Sequence, residues 1–327
     1  MKRWTRRRWK RLALVILGVA AVAAATLTVN APVVAAWWYA QRFDLDADRL
    51  PATDPFVEGD RVLVVSPHPD DEALCCGGAI QLAHEAGAEV WIVHVTSGDG
   101  FELDALVVEA TLRPRGAALI ALGHTRMREA LAAAAILGVA EERVLFLGFP
   151  DRGLRDVYRL HMDTDTPYRS PFTLRSQVVY ESALEPGTPF TGAHLLRSMR
   201  DVFDRVHPTV VLAPTPLDGH PDHRTVGELV LRVLGERGEL GAGRWWIVHG
   251  DAQWPLPKGV HMRSPLFPPL RARHLPWTRL DLEHRHVEVK LASIRAHDSQ
   301  VRLLRRYLES FAKRNELFSP LPLAPPR

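Results

Sequence analysis

Cysteine is nearly missing from this chain: two occur, and they are adjacent, Cys75 and Cys76. Neighbouring cysteines rarely bridge, because the linked pair is strained, so no disulfide framework is expected and the two read as packing residues. Acidic residues are missing from the first eleven positions, which hold seven basic ones (Lys2, Arg3, Arg6, Arg7, Arg8, Lys10 and Arg11). Removing those seven from the net charge of +3 leaves −4 for the other residues. A basic footprint over the folded part is excluded, and no nucleic-acid partner is expected. Charge of either sign then vanishes from residues 12–29 (LALVILGVAAVAAATLTV), and the apolar stretch that follows ends in Trp37, Trp38 and Tyr39. A span needs about 20 apolar residues, and aromatic side chains favour the lipid–water interface. Residues 12–40 therefore read as a transmembrane anchor, with the basic segment 1–11 cytoplasmic and the bulk of the chain extracytoplasmic. A cleaved signal peptide, which would leave a secreted protein, and a buried helix are the competing readings.

What remains is ordinary globular material: 327 residues, 46% hydrophobic and 24% charged, room for one catalytic domain and an appendage. Residues 41–59, with Pro51 and Pro55, read as a linker. Short β-branched runs at 61–65, 89–95, 143–147, 209–213 and 245–248 alternate with helical patterns at 73–86, 124–137, 195–206 and from about His223 onward. Residues 286–318 fit one or two C-terminal helices, 155–192 show little pattern, and 319–327 form a proline-rich tail. Strands that read as buried on both faces, alternating with helices, predict an α/β, Rossmann-like fold with a mostly parallel sheet and helices on both faces, over residues 60–318.

Ligand sites in such sheets lie beyond the carboxyl ends of the strands. Two dense polar clusters fall there: Ser66-Pro67-His68-Pro69-Asp70-Asp71-Glu72 after the first strand, and Asp218-Gly219-His220-Pro221-Asp222-His223 after the 209–213 strand. His68 and Asp71, three positions apart on a turn entering a helix, can converge on one cation, with a histidine of the second cluster as third ligand. Asp70 is then free to act as a general base. The other histidine, oriented by Asp222, can hold a proton near a developing oxyanion. A solvated helix-capping turn would account for one acid, not for the whole first cluster.

These residues resemble the LmbE-like (PIG-L) N-acetylglucosaminyl deacetylase family. The resemblance rests on Pro67 to Glu72, then Cys76-Gly77-Gly78, and His220-Pro221-Asp222-His223. Arg126 with Glu129, the run from Phe149 through Asp151 to Leu154, Lys290, and His297-Asp298-Ser299-Gln300 extend it, so that it covers residues 60–300. It implies a metal-dependent N-deacetylase with His68, Asp71 and His223 as zinc ligands, Asp70 as base, and His220, its ring held by Asp222, as oxyanion or acid partner. Iron(II) could use the same ligands. The implied substrate is the acetamide of an N-acetylglucosamine-containing glycan, glycolipid or glycoside, possible sources being lipid-linked or cell-wall sugars. Asp218 departs from the pattern, standing where some relatives of the thiol pathway carry tyrosine. Arg126 and Asp151 are candidate substrate contacts, and His94 reads as structural. A zinc amidase acting on a non-sugar N-acyl natural product is the competing enzyme, and a membrane-tethered glycan-binding protein the competing non-enzyme.

Overall fold

The computed structural model describes residues 6–100, 114–251 and 253–323. The chain divides into two compact units, Met1–Leu45 and Asp46–Arg327. The first unit is built on helix α1, Arg6–Arg42, with Pro32 inside it. Its apolar side chains are exposed at Leu14, Val15, Ile16, Leu17 and Val19. Among the described residues, no helix is long and apolar enough to cross a membrane. The transmembrane anchor expected over 12–40 is thus not supported by the described residues, and residues 1–5 of the basic segment and 324–327 of the tail lie outside them.

The second unit is the expected α/β domain. Strands β1 (Arg61–Ser66), β2 (Glu89–Thr96), β3 (Val144–Phe149), β4 (Val210–Pro214) and β5 (Gly243–Trp246) form one sheet in the order β3-β2-β1-β4-β5. Every pairing in it is parallel. The strands are buried almost throughout, which is why they read as apolar runs rather than alternating ones. Helices α2 (Asp71–Glu85), α3 (Ala117–Ile136), α4 (Leu154–Leu160), α5 (Gly192–Val206) and α6 (Pro221–Arg237) connect or flank them, followed by α7 (His284–Ala296) and α8 (Asp298–Leu308). The crossover through α2 carries the chain from β1 to β2, and that through α6 carries it the opposite way, from β4 to β5. Right-handed crossovers running in opposite directions place their helices on opposite faces. Accordingly α2 packs with α7 and α7 with α3, while α6 packs with α4 and α5.

Three local readings are corrected. Residues 315–318, expected to be helical, are strand β7 (Asn315–Phe318), antiparallel to β6 (Thr278–Asp281). Lys313, Asn315 and Glu316 are buried polar residues, so the apolar spacing that would have revealed a strand is masked. Part of the expected linker joins the same sheet, Thr53 N–H donating to the Arg279 carbonyl at 2.8 Å. Cys75 and Cys76, expected to stay unbridged, are bonded to each other in α2, adjacency having put both sulfurs within reach.

Lys290 and Glu316, both fully buried, tie the two sheets' supporting layers together. Lys290 Nζ donates to Glu316 Oε1 at 2.5 Å, and the same carboxylate accepts the Gly78 and Ala79 N–H groups at 2.7 and 2.8 Å. Removing one partner of a buried ion pair strands the other charge, at a cost of about 3–5 kcal/mol. Lys290→Met should therefore lower stability by about that amount in urea unfolding. A loss below about 1 kcal/mol would show that the pair carries little of the fold.

Candidate metal centre and active site

Strands β1 and β4 are neighbours whose onward connections leave in opposite directions, so a crevice opens beyond their carboxyl ends. Both polar clusters emerge into it. Pro67 and Pro69 bias Ser66 and His68 toward extended backbone, which delays the start of α2 to Asp71. The Pro67 carbonyl is held by Thr96, through its N–H at 3.0 Å and its hydroxyl at 2.9 Å. On the other side Pro221 opens α6 and His220 is its N-cap, Nδ1 accepting the Asp222 N–H at 3.2 Å. Two helix N-termini, each carrying site residues in its first turn, thus face one crevice.

There three donor atoms form a nearly equilateral triangle. His68 Nδ1 lies 3.2 Å from Asp71 Oδ2 and 3.2 Å from His223 Nε2, and His223 Nε2 lies 3.1 Å from Asp71 Oδ2. Metal–ligand bonds of about 2.0–2.1 Å in a tetrahedral array place ligand atoms about 3.3 Å apart, so the triangle fits one zinc-sized ion. The far nitrogens face carboxylates, as those of metal-bound imidazoles commonly do. His68 Nε2 lies 3.1 Å from Asp151 Oδ1 and 3.3 Å from Asp222 Oδ2, and His223 Nδ1 lies 3.3 Å from Asp218 Oδ2. His68, His220 and His223 also bring nitrogens within 4.8 Å of one another. The tighter triangle is the better cation site, because His220 Nδ1 is already engaged by a backbone N–H.

The electrostatics agree. Burial alone would lower both imidazoles, yet Asp151 and its neighbours raise His68 well above its ordinary value, and Asp71 and Asp218 raise His223 to about 9. Burial would raise Asp71, but His223 and His68 hold it well below the usual carboxylate range. The pocket demands positive charge, which protons supply when no cation does.

Asp70 stands beside the triangle rather than in it. Its backbone, φ 150° and ψ −28°, is a conformation side chains rarely adopt. It is fastened by its own N–H to Glu72 Oε2 at 3.1 Å and by the Ala73 and Leu74 N–H groups on its carbonyl. Burial pushes its carboxyl up to about 6, Arg126 opposing and Asp71 adding. Burial, with His68, His223 and His249 nearby, lowers His220 to about 2, leaving it neutral. Since His220 Nδ1 accepts a backbone N–H, its proton sits on Nε2.

The other expected site residues take more particular places. Arg126 is buried, donating to the Gly98 carbonyl at 3.0 Å and the Pro69 carbonyl at 2.8 Å, with Asp70 Oδ2 at 3.4 Å. A side chain at Gly98, whose φ is +67°, would come within 2.3 Å of that guanidinium. Arg126 therefore braces the Asp70 turn, though it also borders the cavity. Asp151, expected on substrate, is the residue facing His68. Asp222 holds the His220 ring through its backbone N–H, not its carboxylate, which accepts from Arg152 N–H at 2.6 Å and turns to His68. Sequence reasoning named Glu72 and Asp218 in the two clusters without giving either a role, and missed Tyr307 and His249 as parts of the site. Of these His249 was findable, since it follows the 245–248 run at a strand end as the two clusters do. A cavity of about 210 Å³ opens beside the triangle, lined by the polar His68, Asp70 and His220 and by the apolar Leu74, Leu304 and Leu308.

Fold and site together define a class: a doubly wound α/β protein with a candidate two-histidine, one-carboxylate cation site at the sheet's switch point and a buried acid beside it. Residues 63–234 match the family described as GlcNAc-PI de-N-acetylase, PIG-L. The chain is 30% identical over 276 residues to a 1D-myo-inositol 2-acetamido-2-deoxy-alpha-D-glucopyranoside deacetylase of Saccharomonospora viridis, covering 80% of this chain and 91% of the relative. It is 26% identical over 251 residues to a diacetylchitobiose deacetylase of Thermococcus kodakarensis, covering 76% and 72%. The crystal structure of a pseudoaglycone deacetylase for an antimicrobial reagent shares the fold, with a TM-score of 0.50 at 19% identity over 80% of this chain and 96% of that one. The chain belongs to the PIG-L (LmbE-like) family, and it is a hydrolytic N-deacetylase.

Metal uptake must displace the protons on the two imidazoles. At pH 7 zinc binding to the metal-free chain should release about one to two protons, and apparent affinity should climb with pH through about 9, above which His223 becomes neutral. Calorimetry in buffers of different ionisation enthalpy reads this directly. Binding without proton release would show that the imidazoles are not the ligands.

Proposed function

We propose that this enzyme hydrolyses the acetamide of an N-acetylglucosamine-containing glycan, glycolipid or glycoside, releasing acetate and a free amino sugar, with a zinc ion held by His68, Asp71 and His223. The observation that carries the reading is the 3.1–3.2 Å triangle of those donors with an unshared acid, Asp70, at its side. The sugar is supported by the names of the relatives, which act on diacetylchitobiose and on a 2-acetamido glucopyranoside of inositol. It is also supported by a cavity of about 210 Å³. That is below the roughly 300 Å³ at which drug-sized pockets begin, so it has room for one sugar ring with the aglycone outside.

When bound, zinc supplies a Lewis acid that makes water nucleophilic near neutral pH. The chain's residues do the rest. Asp70, ionised above about pH 6, takes a proton from the attacking water. Arg126 keeps the Asp70 turn in place and limits the rise that burial would otherwise cause. His220 presents Nε2–H to the carbonyl oxygen as negative charge gathers there, an interaction of a kind worth about 2.7–4 kcal/mol per donor. This donor is a neutral imidazole, its Nδ1 occupied by the Asp222 N–H. Asp70 then returns its proton to the departing nitrogen, so that an amine and not an amide anion leaves. Asp151, Asp222 and Asp218 fix the two ligand rings.

Asp70→Ala should keep bound zinc while losing about 10²- to 10⁴-fold in kcat, whereas His223→Ala should lose the metal itself. Metal analysis alongside acetate release from a panel of N-acetyl sugars and simple N-acetyl amides checks both points. Full activity in Asp70→Ala would end the mechanism, and turnover of the amides alone would end the sugar assignment.

The membrane enters the proposal through the sequence alone. A charge-free run at 12–29 behind seven basic residues supports tethering to a lipid surface, with the catalytic unit extracytoplasmic and a lipid-linked or cell-wall substrate within reach. The full-length chain should then stay with membranes through alkaline carbonate washing. Release into the wash would contradict the tether.

A further inference from the structure

His249 follows β5, the strand beside β4, and lines the cavity beside the triangle. Its backbone is held on both sides. The His249 N–H donates to Asp218 Oδ2 at 3.1 Å, the Val248 N–H donates to the same oxygen at 2.9 Å, and the His249 carbonyl accepts the Gly219 N–H at 2.9 Å. A Cβ at Gly219 would come within 2.6 Å of that carbonyl oxygen, so the approach depends on glycine. Asp218 also takes the His220 N–H at 2.8 Å and faces His223. One carboxylate thereby sets the positions of a ligand histidine, the His220 turn and the His249 turn at once.

The ring these contacts present is different. Among the described residues no hydrogen bond to the His249 ring nitrogens occurs. The ring centroid lies 5.2 Å from that of His220 and 4.7 Å from that of His223, and Tyr307 stacks at 6.5 Å. A half-buried imidazole fixed by its backbone, its ring centroid 4.7 Å from that of His223, and left with its nitrogens uncommitted is preorganised for a group that the protein does not provide.

We infer that His249 is a second hydrogen-bond donor to the acetamide carbonyl oxygen, acting with His220 as charge develops there. An imidazole carries at least one N–H whether neutral or charged, so the assignment does not depend on its protonation. The inference rests on the hydrolytic reading of the site, but not on the substrate being a sugar. It competes with two plainer roles, an aromatic filler stacked on Tyr307 and an extra metal ligand, since Asp218, His223 and His249 bring donor atoms within 4.8 Å of one another.

The test compares His249→Phe and His249→Asn with wild type on whichever N-acetyl compound the wild type turns over best, with bound metal measured in each. Failure on sugars then counts against the substrate reading and leaves the comparison intact. His249→Phe keeps the aromatic volume without the donor, and kcat should fall about 10²-fold with KM and metal content near wild type. His249→Asn, which restores an N–H, should recover part of that loss. An unchanged kcat in His249→Phe, a rise in KM alone, or loss of metal would each overturn the inference, pointing respectively to a filler, a ground-state contact and a ligand.

Discussion

The oxygen Asp71 Oδ2 is the point on which the two halves of the domain close. It accepts the His68 N–H at 2.9 Å within its own turn, and lies 3.2 Å from His68 Nδ1 and 3.1 Å from His223 Nε2, a residue 155 positions from His68 in the chain. Around it Asp151, Asp218 and Asp222 are all buried. Buried carboxylates at this density repel one another and have lost their hydration, a cost that only shared positive charge offsets. The crevice between β1 and β4 therefore favours positive charge, and both helix N-termini point into it.

The outer frame explains why residues far apart in sequence belong to one site. Glu72, next to the proposed ligand Asp71, takes His297 Nε2 at 2.8 Å. Glu129, one helical turn from Arg126, takes the Ser299 N–H at 2.9 Å and hydroxyl at 2.6 Å. Lys290 reaches across to Glu316 under α2. Helix α3 thus grips the Asp70 turn with Arg126 and the start of α8 with Glu129, while α8 grips α2 through His297. These are all contacts within the protein. Their common effect is to hold Asp70, in a backbone conformation of its own high energy, at the side of the triangle.

Much of this was legible in the chain. The buried parallel strands announced themselves as β-branched runs, and the rule that sites lie beyond strand ends brought His68, Asp70, Asp71, His220 and His223 together before any coordinates did. What stayed hidden was hidden for physical reasons. Strand β7 carries a buried ion-pair residue that breaks the apolar alternation. The backbone partners of Arg126 and Asp222 are groups that sequence does not display, so the hold of Arg126 on the Asp70 turn went unread and Asp222 read as a carboxylate on His220. Asp218 was visible only as a departure from a pattern. Its role appears once the β5 loop is seen folded onto it.

The central claim is that two imidazoles and one carboxylate, from turns on either side of the sheet's switch point, hold one metal ion. X-ray absorption at the metal edge of the purified, zinc-loaded chain tests it most directly. The account predicts a first shell of nitrogen and oxygen at about 2.0–2.1 Å, with the outer scattering of two imidazoles. A shell containing sulfur at about 2.3 Å, or one without imidazole scattering, would contradict it.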